Sequence, residues 1–277
     1  MKISRFTGKS LRVVLSLSFG VAMASPLLAD EGAKKTKWKL AWSDEFAKPE
    51  LDLTKWTRVK KGKAEWNNMM SPRKDLLEIQ DGILRLRGIV NKDEKTKKAQ
   101  PFLTAGLTSA GKYDFTYGKV EIRARFQSAK GAWPALWMLR SNVRYGTPKT
   151  GEIDIMEHLN FDDAVYQTVH SYYTLKVNKK DNLKKHAKSR IVRDKWNTYG
   201  IIWDANKITF TVNGKSTFSY PRVPAKGAVQ YPFNAPFYFI LSMQVEGNWV
   251  GKPDPKDYPA FMEIDYVRVY QKEQAKP

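Results

Sequence analysis

Residues 151–158 read GEIDIMEH, three acids set into an otherwise apolar run. Glu152 and Asp154 alternate with Ile153 and Ile155, as on a strand, where successive side chains point to opposite faces. The two isoleucines then share one face and the two acids the other. Glu157 is an odd number of steps from Glu152 and would turn away from the acids on a regular strand. One extra residue at about Met156, a β-bulge, returns it to them. The spacing therefore predicts a bulged strand with an apolar side buried in a sandwich.

The rest of the chain reads the same way. Short β-rich runs recur in LLEIQDGILRLRGIV (76–90), GKVEIRARF (118–126), WNTYGIIWDANKITFTVNG (196–214), FYFILSMQV (237–245) and FMEIDYVRVYQ (261–271). Asp81-Gly82, Ala205-Asn206 and Asn213-Gly214 are hairpin turn signals between them. No stretch shows convincing helical periodicity, and no repeat or long linker divides the sequence. The expected fold is an all-β antiparallel sandwich, one domain over 30–277, with one sheet supplying a concave face.

Before that domain, residues 1–29 have the layout of an export signal. Basic Lys2, Arg5, Lys9 and Arg12 precede an apolar stretch, and small residues follow, with cleavage expected after Ala24 or Ala29. The apolar stretch is too short to prefer a membrane span. The expected product is exported, to the periplasm, the cell surface or the medium, and acts as a monomer. With no cysteine in the chain, the fold must rely on packing rather than disulfides. The net charge is +20, and the excess is concentrated in NKDEKTKKAQ (91–100) and KVNKKDNLKKHAKSR (176–190), both read as loops. A solvated basic face or attraction to sulfated or sialylated glycans accounts for them. A nucleic-acid partner is not expected, because no recognition helix is visible.

Three carboxylates this close cannot all ionise easily, so a proton stays within the cluster. Glu152 and Glu157 would lie ~13 Å apart at their Cα atoms. Long side chains can close that to the ~5–5.5 Å between carboxyls that hydrolysis with retention at a sugar carbon requires. One ionised carboxylate attacks and one protonated carboxyl donates to the leaving oxygen.

The run Glu152–Glu157 resembles the signature of glycoside hydrolase family 16, the laminarinase-like β-jelly-roll enzymes. TSAGKYDFTYGKVEIRARF (108–126), GAWPALWMLRSN (131–142), GNWVG (247–251) and MEIDYVRVYQ (262–271) are similar to that family in the same order. The resemblance implies a jelly-roll with a concave cleft, Glu152 as nucleophile, Glu157 as general acid/base, Asp154 tuning both, and His170 assisting. It implies cleft roles for Trp133, Trp137, Gln244 and Trp249. Asn68 belongs with them, in AEWNNMMSPRK (64–74), where β-glucan-cleaving relatives carry a longer shared motif that this chain keeps only as two asparagines. WNNMMS, HLNFDDAVYQTVHSYYT and MQVEGNWVG look like the branch that cuts internal β-1,4-galactosyl links in host mucin-type poly-N-acetyllactosamine O-glycans. An endo-β-1,3- or β-1,3-1,4-glucanase is the second reading, and a non-catalytic glycan-binding jelly roll a third. The catalysis needs no cofactor; a structural calcium held by Asp265, with backbone oxygens near Glu45 and Gly82, is a further implication.

Overall fold

The computed structural model describes residues 37–177 and 183–273; the segment read as an export signal lies outside them. In chain order the strands begin with β1 (Trp38–Asp44), β2 (Thr57–Arg58), β3 (Leu77–Gln80), β4 (Ile83–Val90), β5 (Phe102–Thr104) and β6 (Gly106–Thr108). Next come β7 (Gly118–Phe126), β8 (Ala132–Arg140), β9 (Gly151–His158), β10 (Ala164–Ser171) and β11 (His186–Arg190). The last are β12 (Asn197–Trp203), β13 (Lys207–Val212), β14 (Lys215–Pro221), β15 (Phe237–Val245) and β16 (Ala260–Lys272).

They form two antiparallel sheets. One runs β14-β13-β12-β7-β16-β4-β3, with β1 also on β16 and β5 on β4. The other, which carries the acids, runs β11-β10-β9-β8-β15-β6-β2. This is the sandwich expected from the alternation. β7 displays the cause most clearly: Val120, Ile122 and Ala124 are buried, while Lys119, Glu121, Arg123 and Arg125 between them are half-exposed. Leu84, Ile122, Phe126, Tyr199 and Trp203 meet Leu136, Met138, Ile153, Phe239 and Met243 from the acidic sheet in one core cluster. Each large apolar side chain so buried contributes about 1.5–3 kcal/mol before the entropy cost of ordering it. The Asp81-Gly82 and Asn213-Gly214 turns have φ of 52° and 75°, and of 51° and 75°. Positive φ at both central residues makes the tight hairpins that join β3 to β4 and β13 to β14.

β9 is bulged against both neighbours. Glu157 pairs with Tyr166 while Asp154 pairs with Thr168, one residue short on β10. Met156 pairs with Leu136 while Asp154 pairs with Trp137, one residue short on β8. Ile155 and Met156 are consecutive and both fully buried in the core. Glu157 thereby returns to the acidic face.

One expectation needs correction. The basic run 176–190 is not all loop, since His186–Arg190 forms β11 at the edge of the acidic sheet. Only Ala187 of that strand is buried, against the core, so the charges around it concealed the alternation. The calcium that the resemblance implies would take Asp265 with backbone oxygens near Glu45 and Gly82. Asp265 is ion-paired with Arg123, and the Glu45 carbonyl oxygen stands 3.9 Å from where a Cβ on Gly82 would be, so those two backbone segments lie together.

Candidate active site

Three rows of side chains cross the cleft face of the acidic sheet. Leu139, Glu152 and His170 share one row; Trp137, Asp154 and Thr168 the next; Ala135, Glu157 and Tyr166 the third. The acids therefore come from one strand, flanked by aromatic and small residues of β8 and by β10. Beside them is a pocket of about 210 Å³ lined by Glu65, Trp66, Trp133, Trp137 and Gln244 together with the three acids.

The environment differs from acid to acid. Asp154 is 2% exposed. Burial, then the charges of Glu152 and Glu157, and a hydrogen bond with Glu152 push its pKa well above the usual carboxylate range. Glu157 is pushed up to about 8, first by burial and further by the Glu152 charge, while the Trp133 indole N–H opposes the rise. That N–H donates to Glu157 Oε1 at 2.9 Å. His170 lies with Nε2 3.4 Å from Asp154 Oδ2. Burial holds its pKa below the ordinary imidazole value, against the pull of the Glu152 charge, and nearby Lys185 and His186 reinforce the lowering. One ligand atom each from Glu152, Asp154 and His170 lie within 4.8 Å of one another. At neutral pH the cluster thus holds a protonated Glu157 facing the cleft.

Of the residues named from the sequence, the structure brings Glu152, Asp154, Glu157, His170, Trp133, Trp137 and Gln244 to this face. Trp137 is the floor of the pocket. Its indole N–H donates to Ser242 at 3.0 Å, and Trp66 stands edge-on over it at 4.9 Å. Gln244 donates to the same hydroxyl at 2.9 Å, and its Oε1 is buried without a protein partner. Trp249 stands at the rim, 46% exposed, edge-on to Trp133 at 5.8 Å. Its turn is latched by Glu65, which accepts from the Asn248 N–H at 2.6 Å. Gly247 fits there because a Cβ would come within 3.1 Å of Glu65 and 3.2 Å of Trp133. Asn68 is not part of the lining. The short 3₁₀ turn Glu65–Asn67 presents Glu65 and Trp66 to the pocket, and Asn68 follows it with its Oδ1 buried and without a protein partner.

Three residues at the site were missed. Tyr145, in the connection between β8 and β9, lies beside Glu152; burial first and then the Glu152 charge push its phenol pKa up. Glu65 and Trp66 sit beside Asn68 in the very segment singled out, but no spacing rule marks a 3₁₀ turn's inner side.

The sequence model of glycosyl hydrolases family 16 matches residues 77–268. The chain belongs to this family. Membership makes the protein a glycoside hydrolase. A keratan-sulfate endo-1,4-β-galactosidase of Sphingobacterium multivorum is 36% identical over 85% of this chain, which spans 56% of that protein's length. A β-glucanase of Rhodothermus marinus is 33% identical over 93% of each chain. The crystal structure of the Rhodothermus marinus laminarinase superposes with a TM-score of 0.75 at 31% identity, covering 87% of this chain and 100% of that one.

Proposed function

We propose that this family 16 enzyme is a retaining endo-β-galactosidase that hydrolyses internal β-1,4-galactosyl links in mucin-type poly-N-acetyllactosamine chains. The bulge carries the mechanistic part, because it alone puts Glu152 and Glu157 on one face with Asp154 between them. Glu152 attacks the anomeric carbon while Glu157 gives its proton to the departing oxygen, forming a glycosyl-enzyme. Water that passes its proton back to Glu157 then releases the sugar with retained configuration. Tyr145 and Asp154 both lie beside Glu152, and its charge acts to raise the pKa of each, after burial. Asp154 in turn faces His170.

The galactosyl preference is supported by the likeness to the Sphingobacterium galactosidase and by the 64–74 segment, which presents Trp66 and Glu65 where β-glucan-cleaving relatives carry a different motif. The second reading, an endo-β-1,3- or β-1,3-1,4-glucanase, is favoured by the near-complete mutual coverage with the Rhodothermus proteins. Export behind a signal at 1–29 fits either reading, and so does a monomer. Digestion of porcine mucin, poly-N-acetyllactosamine, laminarin and lichenan, with products read by mass spectrometry, separates the two. Oligosaccharides from laminarin or lichenan alone overturn the galactosidase reading. Glu152→Gln is expected to abolish cleavage while leaving glycan binding; surviving cleavage removes Glu152 from the nucleophile's role.

A further inference from the structure

The basic stretch 176–190 has no part in the chemistry at the acids, yet the fold puts its last residues beside them. β11 is the edge strand of the catalytic sheet, paired with β10. Register extends the rows of the site onto it: Thr168, opposite Asp154, faces His186, and Tyr166, opposite Glu157, faces Lys188. Arg190 follows, opposite Ala164. Lys188 shows the placement directly, its Nζ lying 5.1 Å from the centre of the Tyr166 ring. The way there is aromatic. Trp249 touches Trp133 on one side and Tyr166, at 5.0 Å, on the other. A wall of rings suited to sugar faces therefore runs from Glu157 and ends on cations.

Those cations are only partly balanced. Lys188 lies 3.2 Å from Asp162. Lys185 donates to the Thr174 carbonyl oxygen at 3.4 Å, which leaves its charge unspent. Arg190 is exposed and, among the described residues, has no carboxylate partner; His186, exposed as well, offers a ring N–H donor. β11 stands two strands from β9, roughly 10 Å at ~4.8 Å per strand, within reach of a neighbouring sugar unit of a bound chain.

We infer that the β11 side of the cleft is a subsite for an anionic substituent, a sulfate ester or a carboxylate, carried by a sugar next to the scissile bond. The inference rests on the galactan reading above, and it names the substituent which that reading leaves open. Lysines also protect exposed sheet edges from pairing with other chains. Edge protection by itself leaves substrate preference unmoved, so the two explanations part at the bench.

The test compares kcat/KM on neutral, 6-O-sulfated and sialylated poly-N-acetyllactosamine. It uses the full-length chain, the triple variant Lys185→Gln/His186→Gln/Arg190→Gln, and a control, Lys95→Gln/Lys98→Gln, that removes charge from the other basic run. A unit charge at contact distance in water is worth about fivefold. The triple variant is expected to lower the anionic-to-neutral ratio by about tenfold or more, and the control to leave it unchanged. Whether the sulfated or the sialylated arm falls identifies the source of the anion. A ratio unchanged in the triple variant, or lowered equally in the control, overturns the subsite while cleavage of the neutral polymer keeps the galactan reading. Failure of the unaltered enzyme to cut all three polymers overturns that reading and the subsite with it. Arg190→Gln alone, at an exposed side chain, decides the matter if the triple variant loses its fold, and is expected to lower the ratio about fivefold.

Discussion

Trp133 and Glu157 meet through one hydrogen bond of 2.9 Å, and its effect runs against the burial that keeps Glu157 protonated. A donor favours the ionised carboxylate, so its loss raises the pKa further above the present value of about 8. The loss of kcat/KM on the basic side reports the acid in the free enzyme. Trp133→Phe should shift that basic limb to higher pH by a fraction of a unit or more while weakening substrate binding. A pH–rate profile checks this, and a limb that stays put or moves down rules out the assignment of Glu157 as the proton donor. At this scale the acids were legible in the sequence because charge alternating with isoleucine is rare and directional. Tyr145 was not, because a residue in a connector reaches Glu152 through the path of the loop, on which no periodicity bears.

Among the elements, β9 matters most, and its bulge is a matter of one residue. Deleting Met156 leaves Glu152, Asp154 and the following glutamate in strict alternation on one face, but it draws that glutamate one residue closer to Glu152, takes a buried side chain out of the core and slips the pairing of β9 with both neighbours. The expected result is a folded but destabilised protein with activity down by at least about a thousandfold, the range that general acid–base groups contribute. Circular dichroism with a rate assay reads both. Retained activity at normal rates would mean that the extra residue does not set the working distance between Glu152 and Glu157. The strands themselves were legible wherever one face is apolar, as in β7 and β13, and the I′ turns of two hairpins were announced by Asp-Gly and Asn-Gly. β11 was hidden for a physical reason: an edge strand needs only a foothold such as Ala187 on the core, and its remaining side chains are free to be charged. The same holds for the turn Glu65–Asn67, which gains its shape from packing Trp66 on Trp137 rather than from any local preference.

Over the whole molecule, charge is sorted by sheet. The sheet opposite the acids bears ion pairs on its outer face, and their centre is Glu263, 1% exposed, which accepts from Arg85 at 2.6 and 2.9 Å and pairs with Arg125 as well. Burial acts to raise the Glu263 pKa, but Arg125 and then Arg85 outweigh it and hold the group below its ordinary value of 4.5. Its contribution to stability is therefore full above that value and lost as the pH falls through the depressed one. Asp154 and Glu157 have the opposite sign. Their raised pKa values favour the fold at low pH, and stability is lost as the pH rises from 4.5 toward about 8 for Glu157. Thermal melts should accordingly peak on the acid side of neutrality, near pH 5, and decline toward pH 9; a maximum in alkaline buffer contradicts both signs. Glu263→Gln should cost about 3 kcal/mol in urea unfolding, since it leaves arginines facing a group that no longer balances them. The same pairing scheme constrains how the chain can assemble. β1 has one hydrogen-bonded neighbour, and that neighbour is β16, so the earliest described strand waits for the latest. A nascent chain halted before Ala260 has nowhere to dock Trp38–Asp44, leaves β4 and β7 without the strand between them, and stays open to proteases and to threading until synthesis is finished.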